Sequence, residues 1–270
     1  MSDSARVTVE EAIGRGDWNK ALAIMKQVFA KSPNSATALW ILTKKQQIAD
    51  PLPLRPCRLA VLRSFTFEPV VPMLQVQAFF YGLDLKVQLG NFNTYAQEIL
   101  DPSSKLYAYD PDIVIMAVQT RDLLPDLWHR FGEISTPDMN RMVDQTLENV
   151  SEWITAFRFR SQAHLILQTM EIQPMPNLGI LDGQTCGQSQ VETIRRFNRQ
   201  LRQIAVKNKG IFVLDYDALV SRFGCQTWND EQKWLTMRMP IAAGCLNHLA
   251  TEYMRFILPL FGRPCKVLVM

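Results

Sequence analysis

Tyr109-Asp110-Pro111-Asp112-Ile113-Val114-Ile115-Met116-Ala117-Val118 is the stretch that decides the fold. The run Ile113–Val118 contains no polar residue, so a strand formed there can face water on neither side. That is the pattern of an interior strand in a parallel sheet. Working outward, short apolar runs alternate with helical patterns. Arg58–Leu62 reads as a first strand, Leu83–Leu89 as a second, His164–Gln168 as a fourth and Ile211–Leu214 as a fifth. Between them, Pro69–Tyr81, Thr94–Leu100, Asn140–Arg158 and Gln190–Lys207 are predicted helices, and a last helix covers Ala242–Phe261. Strands alternating with helices predict an α/β fold: a parallel sheet with helices on both faces, doubly wound if the crossovers are right-handed.

The N-terminal part differs. Val9, Ala12 and Ile13, then Trp18, Ala21, Leu22, Met25, Val28 and Phe29, keep a helical period, broken at Gly14 and Gly16 and ended by Pro33. The spacing Gly16-Asp17, Ala21, Met25, Val28, Pro33 resembles one tetratricopeptide repeat, and a plain helical hairpin fits as well. A single such unit cannot bury its own face, so it must pack on the rest of the chain or on a partner. Asp50-Pro51-Leu52-Pro53-Leu54-Arg55-Pro56 reads as a stiff, extended connector. The expected division is a tetratricopeptide-like hairpin plus a helix over 1–50, an α/β domain over 57–262, and over 263–270 the start of another unit, whose strand would alternatively join the existing sheet.

Composition narrows the function. The chain has 270 residues and a net charge of +3, too little to point to nucleic acid or an anionic membrane as partner. The apolar runs are too short for a spanning helix, and the N-terminus lacks the apolar core of a secretory signal. The five cysteines (57, 186, 225, 245 and 265) show no C-x-x-C spacing. A cytoplasmic protein with reduced thiols is therefore expected.

In parallel sheets the chemistry lies beyond the carboxyl ends of the strands. Reading just past each strand gives Arg63-Ser64-Phe65-Thr66, Gly90-Asn91, Gln119-Thr120-Arg121-Asp122, Thr169 with Glu171, and Asp215 with Asp217. Ser64 stands where a nucleophile would be exposed, and Gly90 where a backbone N–H can approach an oxyanion. Arg63, Arg121 and Arg238 are candidates to converge on a phosphorylated ligand, with ion pairs to Asp122 and Glu171 as the plainer alternative. Arg195, Arg196, Arg199 and Arg202 give the predicted helix Gln190–Lys207 a basic face, either a solvated surface or a docking site for an acidic partner. Cys57, Cys186 and Cys245 are candidate acyl relays or, more simply, buried structural thiols.

Over residues 57–260 this arrangement resembles the SGNH (GDSL) hydrolase superfamily, with a flavodoxin-like sheet. The resemblance implies Ser64 as the nucleophile position and Gly90, with Gln119, at the oxyanion and substrate-binding positions. Its Gly-x-Asn-Asp block reads Gln119-Thr120-Arg121-Asp122 here. Its Asp-x-x-His-Pro block aligns on Pro240, which puts Met239 where the catalytic His belongs and Thr236 where the Asp belongs. A thioether cannot take a proton from serine. His129, His164 and His248 are not placed to replace that base.

A second likeness lies in local sequence. Ser64-Phe65-Thr66-Phe67-Glu68-Pro69, Leu100–Tyr107, Tyr109–Ile115, Trp234–Pro240 and the closing Gly262-Arg263-Pro264-Cys265-Lys266-Val267-Leu268-Val269 are similar to the N-terminal half of FkbH-type proteins. That family joins an SGNH-like half to a HAD-superfamily phosphatase-like domain. It loads a glyceryl unit from a glycolytic bisphosphoglycerate onto an acyl carrier protein for polyketide biosynthesis. The resemblance therefore implies an acyl carrier protein as partner and a HAD-like half in cis or in trans. Magnesium is expected only with that half, whose Asp-x-Asp-x-Thr motif does not occur here, so no metal or cofactor is assigned to this chain. Three roles stay open: an accessory module that docks the carrier protein or handles the glyceryl group, a serine esterase or acyltransferase using Ser64, and a non-catalytic scaffold.

Overall fold

The computed structural model describes residues 3–48, 52–184 and 189–261. The chain opens with three helices, α1 (Asp3–Gly14), α2 (Trp18–Lys31) and α3 (Ser35–Ile48). Asp17 starts α2 by accepting the Lys20 N–H at 3.1 Å, and Gly16 supplies the left-handed turn before it at φ 73°. The first two helices stand where the periodicity places them.

Strands and helices then alternate. They are β1 (Arg55–Arg63), α4 (Val71–Phe80), β2 (Leu83–Phe92), α5 (Tyr95–Leu100), α6 (Lys105–Tyr109) and β3 (Ile113–Ala117). After them come α7 (Thr120–Leu123), α8 (Pro125–His129), α9 (Thr136–Arg160), β4 (His164–Gln168), α10 (Gln190–Lys207) and β5 (Ile211–Leu214). The chain continues through α11 (Tyr216–Phe223), α12 (Cys225–Trp228), α13 (Glu231–Met237) and α14 (Leu246–Leu260). The five strands form one sheet in the order β2-β1-β3-β4-β5. β1 with β3, β3 with β4, and β4 with β5 pair in parallel. The α/β sheet expected from the sequence is thus the observed fold.

The described residues fall into two compact units. One lies within Met1–Arg58, Phe67–Val87 and Ile241–Met270. In it Phe29 meets Phe80 edge-on at 5.8 Å, and the Gln77 amide donates to Asn247 Oδ1 at 2.9 Å. The other unit, Leu59–Thr66 with Gln88–Pro240, carries most of the sheet. Alternate strand residues there, Leu62, Val114, Met116, Leu165 and Leu167, pack on Val143, Val150 and Ile154 of α9 and on Phe197 and Leu201 of α10. The intervening Leu59, Val61, Ile113, Ile115 and Ile166 are also buried, so these strands are covered on both faces.

Several boundaries differ from expectation: α9 starts earlier, at Thr136, and α14 later, at Leu246, and two differences touch the sheet. The connector ends sooner than the prolines predict, because Arg55 already donates its N–H to Gly82 O at 3.0 Å and β1 begins there. Pro56, at the strand's start, is one of the few strand positions that tolerates the missing donor. β2 runs on to Phe92 and takes in Gly90 and Asn91, which the sequence pattern places after the strand. Asp50 and Pro51 of the connector, and the expected strand 266–270, lie outside the described residues.

Candidate active site

The pairing of β1 with β3 ends at Arg63 opposite Ala117, which sets the residues after both strands side by side. Ser64 donates its N–H to Ala117 O at 3.1 Å. Its hydroxyl oxygen accepts the Gln119 N–H at 3.0 Å. The Ser64 side chain is buried. Asp122 Oδ2 is buried without a hydrogen-bond partner among the described residues. Burial pushes the Asp122 carboxyl above its ordinary range, while the Ser64 hydroxyl and the charges of Arg121, Arg238 and His129 pull it down. Tyr95 of α5 faces the same carboxylate, and burial first, then the Asp122 charge, push its phenol up to about 12.

Behind this pair lies a layer of buried polar groups. Glu171, after β4, accepts the Thr120 N–H at 3.3 Å and its hydroxyl at 2.8 Å on Oε2. Its Oε1 has no partner among the described residues. Desolvation pushes the Glu171 carboxyl up to about 7, which the Thr120 bonds only partly offset. The Tyr216 hydroxyl accepts the Trp228 indole N–H at 2.9 Å, and the Gln119 side-chain amide nitrogen is buried without a partner among the described residues.

Of the three candidate arginines, Arg121 and Arg238 lie over the same Trp234 ring and both charges reach Asp122. Arg63 donates from Nε to Gly90 O at 3.0 Å. Arg121 is buried against the Trp128 and Trp234 rings, at 4.8 and 4.2 Å, and pairs with Glu231 at 3.3 Å rather than with Asp122 or Glu171. Arg238 is exposed and stacks on Trp234 at 5.1 Å. Gly90 sits within β2 beside Glu98, whose Oε1 accepts the next N–H, that of Asn91, at 3.0 Å. The expected oxyanion position is thus a strand residue with its carbonyl engaged.

Met239 is buried, and the Thr236 hydroxyl donates to Gln232 O at 2.9 Å within α13, so neither supplies a base. His164 opens β4 against the Phe212 ring, and His248 lies in α14. His129 is the one histidine whose charge reaches Asp122. Cys57 and Cys245 are buried, and burial pushes the Cys245 thiol up; Cys186 lies outside the described residues. On α10, Arg195 pairs with Glu192 at 2.7 Å and Arg202 with Asp215 at 2.7 Å. Arg199 is exposed, and Arg196 has two guanidinium nitrogens buried without partners among the described residues. No group of His, Cys, Asp and Glu among the described residues is arranged to hold a metal ion. No described helix is long and apolar enough to cross a membrane.

Sequence reasoning sets Ser64 and Asp122 at the same sheet end but misses that the Ser64 hydroxyl pulls the Asp122 carboxyl down. It also misses the indoles around Arg121. The strand order supplies the first relation, and α8 and α13 supply the second.

No curated protein matches the sequence. The structure is similar to the N-terminal part of the Bacteroides fragilis protein BF1531, which contains a phosphatase domain complexed with Mg. The two share 15% identity and a TM-score of 0.67 over 77% of this chain and 53% of that one, so this chain spans about half of that structure. It is also similar to the lipase Lip_vut3 from a goat rumen metagenome, at 15% identity and a TM-score of 0.55, over 74% of this chain and 96% of the lipase. At such identity these likenesses speak for the fold alone. The sequence model for the FkbH N-terminal domain matches residues 60–258, most of the chain, and the protein belongs to that family.

Proposed function

We propose that this chain is the SGNH-like part of an FkbH-type system that loads a glyceryl unit from a glycolytic bisphosphoglycerate onto an acyl carrier protein for polyketide biosynthesis. In this reading it docks the carrier protein and handles the glyceryl group. A HAD-like domain, in cis or in trans, carries out the phosphoryl and Mg²⁺ chemistry, for which the described residues here offer no ligand cluster. The observation that carries the reading is the polar group of Ser64, Gln119 and Asp122 at the carboxyl end of the sheet in a chain of the FkbH family.

Docking draws on α10. Arg195 and Arg199 lie four residues apart, on one exposed stripe of the helix. Carrier proteins are generally acidic, so such a stripe steers encounter and its effect falls with salt. Titrating the protein with glyceryl-loaded acyl carrier protein tests this. Binding is expected to weaken about tenfold in Arg195→Glu/Arg199→Glu, and to weaken as salt is raised. Binding indifferent to both would remove α10 from the interface, and no binding at all would end the carrier-protein reading.

A further inference from the structure

We infer that the turn Gly179–Gln184 and the residues just before it form the apolar half of a docking surface whose basic half is α10, and that this surface takes an acidic amphipathic helix of a protein partner. The inference rests on the proposed docking role and names both the second half of that interface and the kind of surface that meets it.

The apolar half is an exposed patch. Met175, Leu178, Ile180 and Leu181 are all exposed, Ile180 at 96%. One such side chain on a surface needs no explanation. Four within seven residues make a patch, and apolar patches mark contact sites. The backbone beneath is held in shape while the side chains stay in water. Gly179 turns the chain at φ 55°, between Leu178 and Ile180. Its N–H donates to Pro176 O at 2.8 Å, and the Leu181 N–H donates to Leu178 O at 3.1 Å. The Asn177 N–H donates to Gln190 Oε1 at 2.8 Å, and the Gln190 side-chain amide donates in turn to Leu127 O at 2.7 Å. A surface already ordered loses little freedom on binding.

Position and charge select the occupant. Asp182, next to Leu181, accepts the Gln190 and Val191 N–H groups, which sets the patch against the first turn of α10. Arg195 and Arg199 follow Val191 at four-residue steps, so the exposed basic stripe runs on from the patch. Asp182 is the only charged residue in 173–184, and it is buried. The one acidic residue of α10, Glu192, is paired with Arg195. The footprint is therefore apolar at one end and basic at the other. A helix with apolar side chains followed by carboxylates complements both ends. A two-fold contact through this surface would bring two basic stripes together, which disfavours a second copy of the chain.

Fluorescence anisotropy tests the surface with two probes: glyceryl-loaded acyl carrier protein, and a synthetic helical peptide with leucines on one stripe and glutamates beside them. Ile180→Ser/Leu181→Ser is expected to weaken both about tenfold and to leave the salt dependence as steep as in wild type. Arg195→Glu/Arg199→Glu should weaken both and flatten that dependence. Ile180→Val/Leu181→Met should bind as wild type does. Circular dichroism and melting check folding, and Met175→Ser/Ile180→Ser replaces the first pair if that pair fails to fold. A folded serine variant that binds both probes like wild type would overturn the inference, and carrier binding still sensitive to α10 would then leave the docking role standing. Peptide binding through the turn without carrier binding would keep the surface and sink the carrier-protein reading. Binding of neither probe would overturn both. Self-association in sedimentation, or binding to phosphatidylglycerol vesicles, that the serine variant abolishes would assign the patch to a second copy or to a membrane, and would equally overturn the inference.

Discussion

The guanidinium carbon of Arg121 lies 4.2 Å from the centre of the Trp234 ring. Arg121 is almost fully buried, so its charge is held in the protein by aromatic faces and by Glu231, which lies three residues before Trp234 on α13. Glu231 is largely exposed, so the ion pair is screened and contributes little. The indole is the larger holder, because it covers the guanidinium and fills the space beneath α13. Trp234→Ala is therefore expected to destabilise the protein by about 3–5 kcal/mol in urea unfolding, and Glu231→Gln by less than about 1 kcal/mol. Similar costs for the two would show that the ion pair, not the stack, holds Arg121.

One buried carboxylate ties the turn Gly179–Gln184 to the start of α10. Asp182 accepts the Ser189 hydroxyl at 2.6 Å, the Gln190 N–H at 2.9 Å and the Val191 N–H at 3.1 Å. The two N–H groups are first-turn donors with no partner inside the helix. Asp182→Ala strands them and should cost about 1–3 kcal/mol. Because Ile180 and Leu181 beside it are exposed, the loosened loop is also expected to be cut sooner by chymotrypsin under native conditions. An unchanged cleavage rate would mean that the loop is held by something other than this cap.

Whether a feature is legible in the sequence depends on how local its causes are. β3 can be read because burial on both faces leaves Ile113–Ala117 without a polar residue, and α10 because Ser189 and Glu192 form a capping pair ahead of Ile194, Phe197 and Leu201. Such signals are local. The Ser64–Gln119 contact is not local: it needs β1 to lie beside β3, and periodicity carries no strand order. Gly90 escapes a sequence reading for a similar reason. A glycine and an asparagine read as the end of a strand, yet pairing beside β1 and the Arg63 bond to Gly90 O keep the backbone extended through Phe92. The Arg121 stack draws one ring from α8 and another from α13, more than a hundred residues apart, and no spacing rule connects them.

Gly90 has a packing reason independent of any oxyanion. A Cβ built there would lie 2.8 Å from Glu98 Oε1 and 3.3 Å from Val61 O. The Glu98 carboxylate is not free to swing aside, since it accepts from Asn91 N–H at 3.0 Å and from the Thr94 hydroxyl at 2.9 Å. Gly90→Ala is expected to cost about 1–3 kcal/mol. Part of that cost should disappear when Glu98→Ala is already present, because the clash then lacks its nearer atom. Additive costs in the double-mutant cycle would place the strain elsewhere in β2.

Glu171 makes stability depend on pH in a direction opposite to that of a salt-bridged carboxylate. Its folded pKa of about 7 lies above the ordinary 4.5 because burial penalises the anion. Between those values the folded chain holds a proton that the unfolded chain has released. Stability is therefore lost as pH rises through this window, and the loss is complete above the folded value. A gap of this size corresponds to a penalty on the order of 3 kcal/mol. Glu171→Gln keeps an oxygen for the two Thr120 donors and has no proton to lose. Its stability relative to wild type should be nearly equal at pH 4, rise between pH 5 and 7, and level off near pH 8 by about that amount. Urea unfolding at these pH values measures the difference. Parallel curves for the two proteins would mean that Glu171 is solvated in the folded state, and that the polar layer behind Ser64 is open to water rather than dry.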